Sequence, residues 1–248
     1  MAAPVCTLLV DAGSGKVMER QGAQCDTRNS PASTFKVAIA VMGYDAGILT
    51  GPHAPAWPYK AEYQAWMDSW KTTVDPTSWL RDSVVWYSRQ VTQRLGPGGF
   101  QRGVDRLAYG NRDVSGDPGK HNGLTSAWLS SSLQISPAEQ VAFLRKLLSR
   151  QLPVSGAAQD RTLAIMPRYP LANGWTVYGK TGTGFQTDAA GVIERDRQFG
   201  WFVGWAQKGE RRIVFARLIK DAGRHKDNAG PRTRDSILAD LPLLLPDR

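Results

Sequence analysis

The chain has 248 residues, 42% of them hydrophobic and 21% charged, with a formal net charge of +9. That balance describes a globular chain long enough to bury a sizeable core, and no apolar run approaches the ~20 residues of a membrane helix. The basic residues are scattered, in pairs such as Arg211-Arg212 and Arg232/Arg234, and no nucleic-acid-binding motif accompanies them, so no nucleic-acid partner is expected.

The opening Met1-Ala2-Ala3-Pro4 is no signal peptide, as expected of the mature form of an exported protein. A short apolar strand over 6–10, turn chemistry at Asp11-Ala12-Gly13-Ser14-Gly15 and a return over 16–20 predict a hairpin. Cys6 and Cys25 flank it. An even cysteine count in an exported chain favours a disulfide between them over two free thiols, and the bridge would tie down the segment that leads to Ser33. A helix is predicted to start at Ser30-Pro31, with Ser30 as its cap and Pro31 at its first position. It carries Phe35, Ile39 and Met42 at helical spacing and fades at Gly43 or Gly47. A proline-rich loop over 51–58 leads into an expected aromatic-faced helix over 58–70, and Asp75-Pro76-Thr77 starts a short helical turn.

Asp82-Ser83 is expected to cap a helix over 84–95, stopped by Gly96-Pro97-Gly98-Gly99, and another helix ends at Tyr109-Gly110-Asn111. The polar stretch 112–125 is long enough to form a wall of a binding site. Ser136-Pro137-Ala138-Glu139 is a capping box ahead of Val141, Leu144, Leu147 and Leu148, and 155–166 is helical as well. After Pro170 the texture changes. A strand over 175–178 runs into Gly179-Lys180-Thr181-Gly182-Thr183-Gly184, a hairpin joins 199–206 to 211–220, and a helix over 231–245 closes the chain. The order predicts an α/β (α+β) fold in one domain over 1–248: a central antiparallel sheet from both chain ends, 1–30 and 170–248, flanked by helices, with a mainly helical subdomain, 31–169, inserted between them.

Ser33 and Lys36 are three residues apart, about a turn from each other on one helical face. A hydroxyl beside an amine at a helix N-terminus combines a nucleophile, a base and a positive dipole end. On its own S-x-x-K is a common string, and a solvated lysine beside a capping serine is the plain reading. Three further strings follow it in order: Ser83-Val84-Val85 at a helix start, Tyr109-Gly110-Asn111 at a helix end, and Lys180-Thr181-Gly182 on a strand. The set S-T-F-K, S-x-V, Y-G-N and K-T-G resembles the class D, or oxacillinase-type, β-lactamases of the penicillin-recognising serine enzymes. The segments L-T-S-A-W-L-S-S-S-L-Q-I-S, G-W-F-V-G-W and the late R-D-S-I extend the likeness over essentially the whole chain.

The resemblance implies the β-lactamase/transpeptidase-like fold and hydrolysis of penicillin-type antibiotics through an acyl-enzyme on Ser33. Lys36 would become N-carboxylated by carbon dioxide and serve as general base for acylation and deacylation. Val85 would be an apolar wall of the carbamate pocket and the Trp128 indole N–H its donor. Ser83 would relay a proton to the leaving nitrogen. The backbone N–H groups of Ser33 and Thr183 would form the oxyanion hole. Lys180, Thr181 and Gly182 would line the substrate site, with Arg234 on the substrate carboxylate, Arg232 as its alternative, and Tyr109 and Asn111 shaping the site. Thr183 stands where many members carry an aromatic or small apolar residue, which bears on substrate preference. The expected partner is a small β-lactam, with carbon dioxide or bicarbonate the one co-reactant and no metal: His53, His121 and His225 form no metal-ligand spacing. The expected location is the periplasm, as a monomer or a homodimer. Two other members of the superfamily share the fold, a receptor sensor domain that is acylated without rapid turnover and a cell-wall transpeptidase. Val85 argues against both, since sensors tend to be polar there and transpeptidases prefer Asn.

Overall fold

The computed structural model describes residues 4–188 and 190–245, so Met1-Ala2-Ala3 lies outside the described residues. Two strands near the start, β1 (Cys6–Asp11) and β2 (Val17–Gln21), join four from the last third of the chain: β3 (Arg168–Pro170), β4 (Thr176–Thr187), β5 (Ile193–Lys208) and β6 (Arg211–Lys220). They form one antiparallel sheet in the order β2-β1-β6-β5-β4-β3. Between β2 and β3 come α1 (Lys36–Asp45), α2 (Pro76–Asp82), α3 (Val85–Arg106), α4 (Gly123–Ser126), α5 (Pro137–Leu148) and α6 (Gly156–Ala164), and α7 (Ala229–Leu244) ends the described chain. Cys6 and Cys25 are disulfide-bonded.

Alternation along the strands builds two cores, because successive side chains leave opposite faces of a sheet. Leu9, Phe202, Ile213 and Phe215 face α7, where Ile237 and Leu241, one turn apart, meet them. Leu8, Val10, Trp201, Val203, Val214 and Ala216 face the helices on the other side. There α1 is buried from Lys36 to Tyr44, as a helix apolar on all sides must be. Its one cation is therefore enclosed too.

Local signals and structure agree where the chemistry is local. Ser136 and Glu139 form their reciprocal capping box, and so do Asp75 and Ser78 at α2. Gly96 (φ 67°) kinks α3 where the Gly-Pro-Gly-Gly string predicts a stop, and Pro97 begins the next turn. Four expectations need correction. The stretch 58–70 is irregular apart from a 3₁₀ turn, Asp68–Trp70, because its aromatics anchor it from the side: Tyr63 stacks on Trp86 at 5.1 Å and Tyr59 meets the same ring edge-on at 6.2 Å. Ser33 sits on a 3₁₀ turn, Ala32–Phe35, and the α-helix begins only at Lys36. Ser30 does not cap it; its Oγ donates to the Trp128 carbonyl and accepts from the Ser130 N–H. Ser83 does not cap α3 either. It ends α2 in the left-handed conformation (φ 60°, ψ 33°), and Val84 is the residue before α3.

Candidate active site

Three elements converge on one point: the 3₁₀ turn with the start of α1, the α2–α3 junction, and β4. The Lys36 Nζ donates to Ser33 Oγ at 2.8 Å. Lys180, midway along β4, donates from Nζ to Ser83 Oγ at 3.0 Å and to the Thr181 carbonyl at 3.1 Å. Thus the nucleophile candidate and the relay candidate each hold an amine. Gly182 lets β4 approach the Ser33 turn, since a Cβ there would lie 3.0 Å from the Pro31 carbonyl oxygen and 3.3 Å from Ser33 N. Thr183 is the next residue along β4. The Thr183 hydroxyl is engaged elsewhere, accepting from the Gly230 N–H at 2.9 Å.

Three non-glycine residues with positive φ border this point: Ala32 (φ 48°), Ser83 (φ 60°) and Ser130 (φ 54°). Each is an unfavourable backbone state for a residue with a Cβ, and such states persist where surrounding contacts over-determine them. Those contacts are visible. The Trp70 indole donates to the Asp82 carbonyl at 3.1 Å and fixes the chain before Ser83. Ser130 Oγ donates to the Phe185 carbonyl and accepts from the Phe185 N–H, both at 3.1 Å. Thr34 Oγ1 donates to the Pro31 carbonyl and accepts from Gln140 Nε2, closing the turn beneath Ser33.

Electrostatically the site encloses two lysine amines whose charged forms burial disfavours. Lys36 is 0% exposed and Lys180 1%. Burial pushes the Lys36 amine well below the usual lysine range, and the Lys180 and Arg89 cations lower it further. Burial also brings Lys180 down to about 7, opposed by the Asp82 carboxylate and assisted by Arg234. Burial thus favours the neutral amine at Lys36, the form that can take a proton from the hydroxyl it touches. Val85 is buried on α3, and Trp128 packs on Phe35, the neighbour of Lys36, at 5.7 Å. The Trp128 indole N–H is buried and meets no acceptor among the described residues. Trp175 and Trp205, at the other end of β4 and β5, are unpartnered as well. Among these three, only Trp128 lies against the residue preceding a buried amine.

The two arginines separate. Arg232 is tied to Asp221, its Nη2 donating to Oδ2 at 2.5 Å, and to the Asp227 carbonyl. Arg234 lies over the Tyr169 ring at 5.7 Å, its Nε donates to the carboxylate of its neighbour Asp235, and its charge reaches Lys180. Tyr109 and Asn111 stand one layer back. Tyr109 is buried between Phe35 and Phe143 with its hydroxyl on Gln140, and burial raises its pKa. Asn111 holds the loop before α5 through Ser132 and Gln134. Tyr109 thus backs the nucleophile turn through Phe35. Trp70, Gln140 and Arg89 are further members of the site that no short motif marks. Among the described residues no cluster of three His, Cys, Asp or Glu side chains could hold a metal, and no helix is long and apolar enough to cross a membrane.

Residues 5–242 match the family model of the penicillin binding protein transpeptidase domain. The Klebsiella pneumoniae protein named beta-lactamase OXA-9 is 47% identical over 243 residues, 97% of this chain and 88% of that protein. The crystal structure of OXA-427 class D beta-lactamase superposes with a TM-score of 0.90 at 47% identity, over 97% of this chain and 98% of that one. The C-terminal domain of the Bacillus licheniformis BlaR penicillin-receptor superposes with a TM-score of 0.82 at 25% identity, over 99% of this chain and 92% of that one.

Proposed function

Because the chain belongs to the penicillin-binding transpeptidase-domain family and, within it, to the class D β-lactamases, we propose that it opens the β-lactam ring through an ester on Ser33, with N-carboxylated Lys36 as the base. The observation that carries this reading is the enclosed 2.8 Å contact between Lys36 Nζ and Ser33 Oγ. A serine hydroxyl is inert at neutral pH until a base lies within hydrogen-bond reach. Ser33 Oγ attacks the lactam carbonyl carbon, the ring C–N bond breaks, and the serine proton ends on the departing nitrogen. Ser83, held by Lys180, is placed to pass it on. Water then cleaves the ester and restores the serine. The N–H groups of Ser33 and Thr183 are the proposed donors to the oxyanion.

The residues around Lys36 fit a carbamate. Burial disfavours the ammonium and so favours the nucleophilic amine, Val85 keeps the pocket apolar, and the unpartnered Trp128 N–H is a donor in want of an anion. N-carboxylation, in which the amine lone pair attacks carbon dioxide and a proton leaves to solvent, supplies an anionic oxygen pair that accepts protons in both half-reactions. Thr181 and Arg234 are the proposed partners of the substrate carboxylate. A guanidinium suits that group bidentately, and Arg234, unlike Arg232, is not committed to a distant carboxylate. The disulfide between Cys6 and Cys25 fits work in the periplasm. The test is benzylpenicillin turnover with and without bicarbonate. Turnover raised by bicarbonate supports the reading. A stable adduct without turnover would mark a sensor domain, and carbon-dioxide-independent activity in Lys36→Ala would remove the carbamate from the mechanism.

A further inference from the structure

Arg89 lies on α3 four residues beyond Val85, hence on the same helical face one turn away. It is half-buried, and burial lowers even its guanidinium. A cation taken out of water is normally matched by an anion. Arg89 has none. Its Nε donates to the Thr125 carbonyl at 3.0 Å, its Nη1 to Gln64 Oε1 at 2.7 Å, and it lies over the Trp66 ring at 5.9 Å. All three partners are neutral, and no ion pair to Arg89 exists among the described residues. The Thr125 contact clamps α4, a four-residue helix that could not stand alone, three residues before Trp128. Thr92, a turn further along α3, reinforces it by donating to the Leu124 carbonyl. The guanidinium is thus held beside the Trp128 segment, and its field, like that of Lys180, reaches Lys36.

We propose that Arg89 is a positioning residue whose fixed positive charge favours carboxylation of Lys36, acting from behind the pocket through a clamp on the segment that carries Trp128. The inference rests on the carbamate reading above. The same charge acts twice in one direction: it disfavours the ammonium, which cannot react with carbon dioxide, and it attracts the anion that forms. Arg89 makes its contacts to Thr125, Gln64 and Trp66 and not to Ser33 or Lys36 among the described residues, so its effect on the chemical steps passes through the occupancy of the carbamate.

Three proteins test it: wild type, Arg89→Gln and Arg89→Lys. Gln keeps an amide donor for the clamp and loses the charge; Lys keeps the charge and loses the guanidinium fork. Carbamate occupancy is read by ¹³C NMR during titration with ¹³C-bicarbonate, well below the melting point of all three. One charge acting across a protein interior supports an effect of about tenfold. Arg89→Gln is expected to need about tenfold more bicarbonate for half occupancy, with Arg89→Lys within about threefold of wild type. Wild-type affinity in Arg89→Gln, or equal loss in both variants, overturns the proposal. No carbamate signal in the wild type would instead overturn the carbamate reading itself, so the two failures are told apart.

Discussion

Replacing Trp128 with Phe isolates the buried, acceptor-free donor that lies against the residue before Lys36. The ring stack survives in part, because Trp128 packs on Phe35 at 5.7 Å and edge-on against Phe100 at 6.3 Å, contacts a phenyl ring can keep. What disappears is the indole N–H. A hydrogen bond to a charged group contributes about 1.5–3 kcal/mol. At 1.4 kcal/mol per factor of ten, carbamate affinity should fall about tenfold to a hundredfold. Stability should change little in the absence of carbon dioxide. There the wild type carries an orphaned N–H at a cost of about 1–3 kcal/mol, which offsets the apolar area lost with the larger ring. Melting temperatures should therefore nearly coincide in carbon-dioxide-free buffer. In bicarbonate at 100 times the dissociation constant the wild type gains about 2.7 kcal/mol by linkage, and the variant much less. The assays are ¹³C-bicarbonate NMR, melting curves with and without bicarbonate, and progress curves with nitrocefin, which should turn biphasic in the variant and straighten on adding bicarbonate. Unchanged bicarbonate affinity in Trp128→Phe would refute the reasoning.

The remaining expectations concern the same cleft. Lys180, brought down to about 7 by burial, loses its proton as pH rises through that value, and with it the attraction for an anionic substrate. So kcat/KM for benzylpenicillin should fall on the alkaline side with a midpoint near 7, while kcat falls at higher pH because bound carboxylate holds the proton; a flat kcat/KM from pH 6 to 9 would contradict this. Lys36→Ala should accumulate an adduct slowly and not release it, whatever the bicarbonate concentration, as seen by intact mass. Gly182→Ala should push β4 off the Pro31 carbonyl and Ser33 N, costing about 1–3 kcal/mol of stability by overpacking and lowering kcat/KM at least tenfold; an unchanged melting curve would show that the close approach is not needed.

Much of the fold was legible because its signals are local. The capping boxes at Asp75 and Ser136, the glycine-proline break at Gly96 and the two-residue turn Gly209-Glu210 between β5 and β6 depend on neighbours a few positions away. The site's motif residues were legible for the same reason, as short strings. What the sequence hid depends on distant contacts. Residues 193–198 carry Glu194, Arg195, Asp196 and Arg197 and lie ahead of the predicted strand over 199–206, yet they extend β5, where Ile193 and Glu194 pair with Thr187 and Gln186. The 58–70 aromatics have helical spacing but spend it on Trp86. Ser30 looks like a cap, and only the return of 128–130 to the same place shows what its hydroxyl bonds. The left-handed Ser83 and the anion-free Arg89 likewise have meaning only once α2, α3 and α4 are assembled.

The central claim is that Ser33 forms, and then releases, an ester with the opened lactam. Its most direct test is rapid mixing with benzylpenicillin in bicarbonate, acid quenching over milliseconds to seconds, and intact-mass and peptide analysis. A single penicillin adduct is expected on the peptide containing Ser33, rising and decaying within turnover, with no adduct in Ser33→Ala. An adduct on another residue, an adduct that persists in the wild type, or turnover surviving in Ser33→Ala would contradict it.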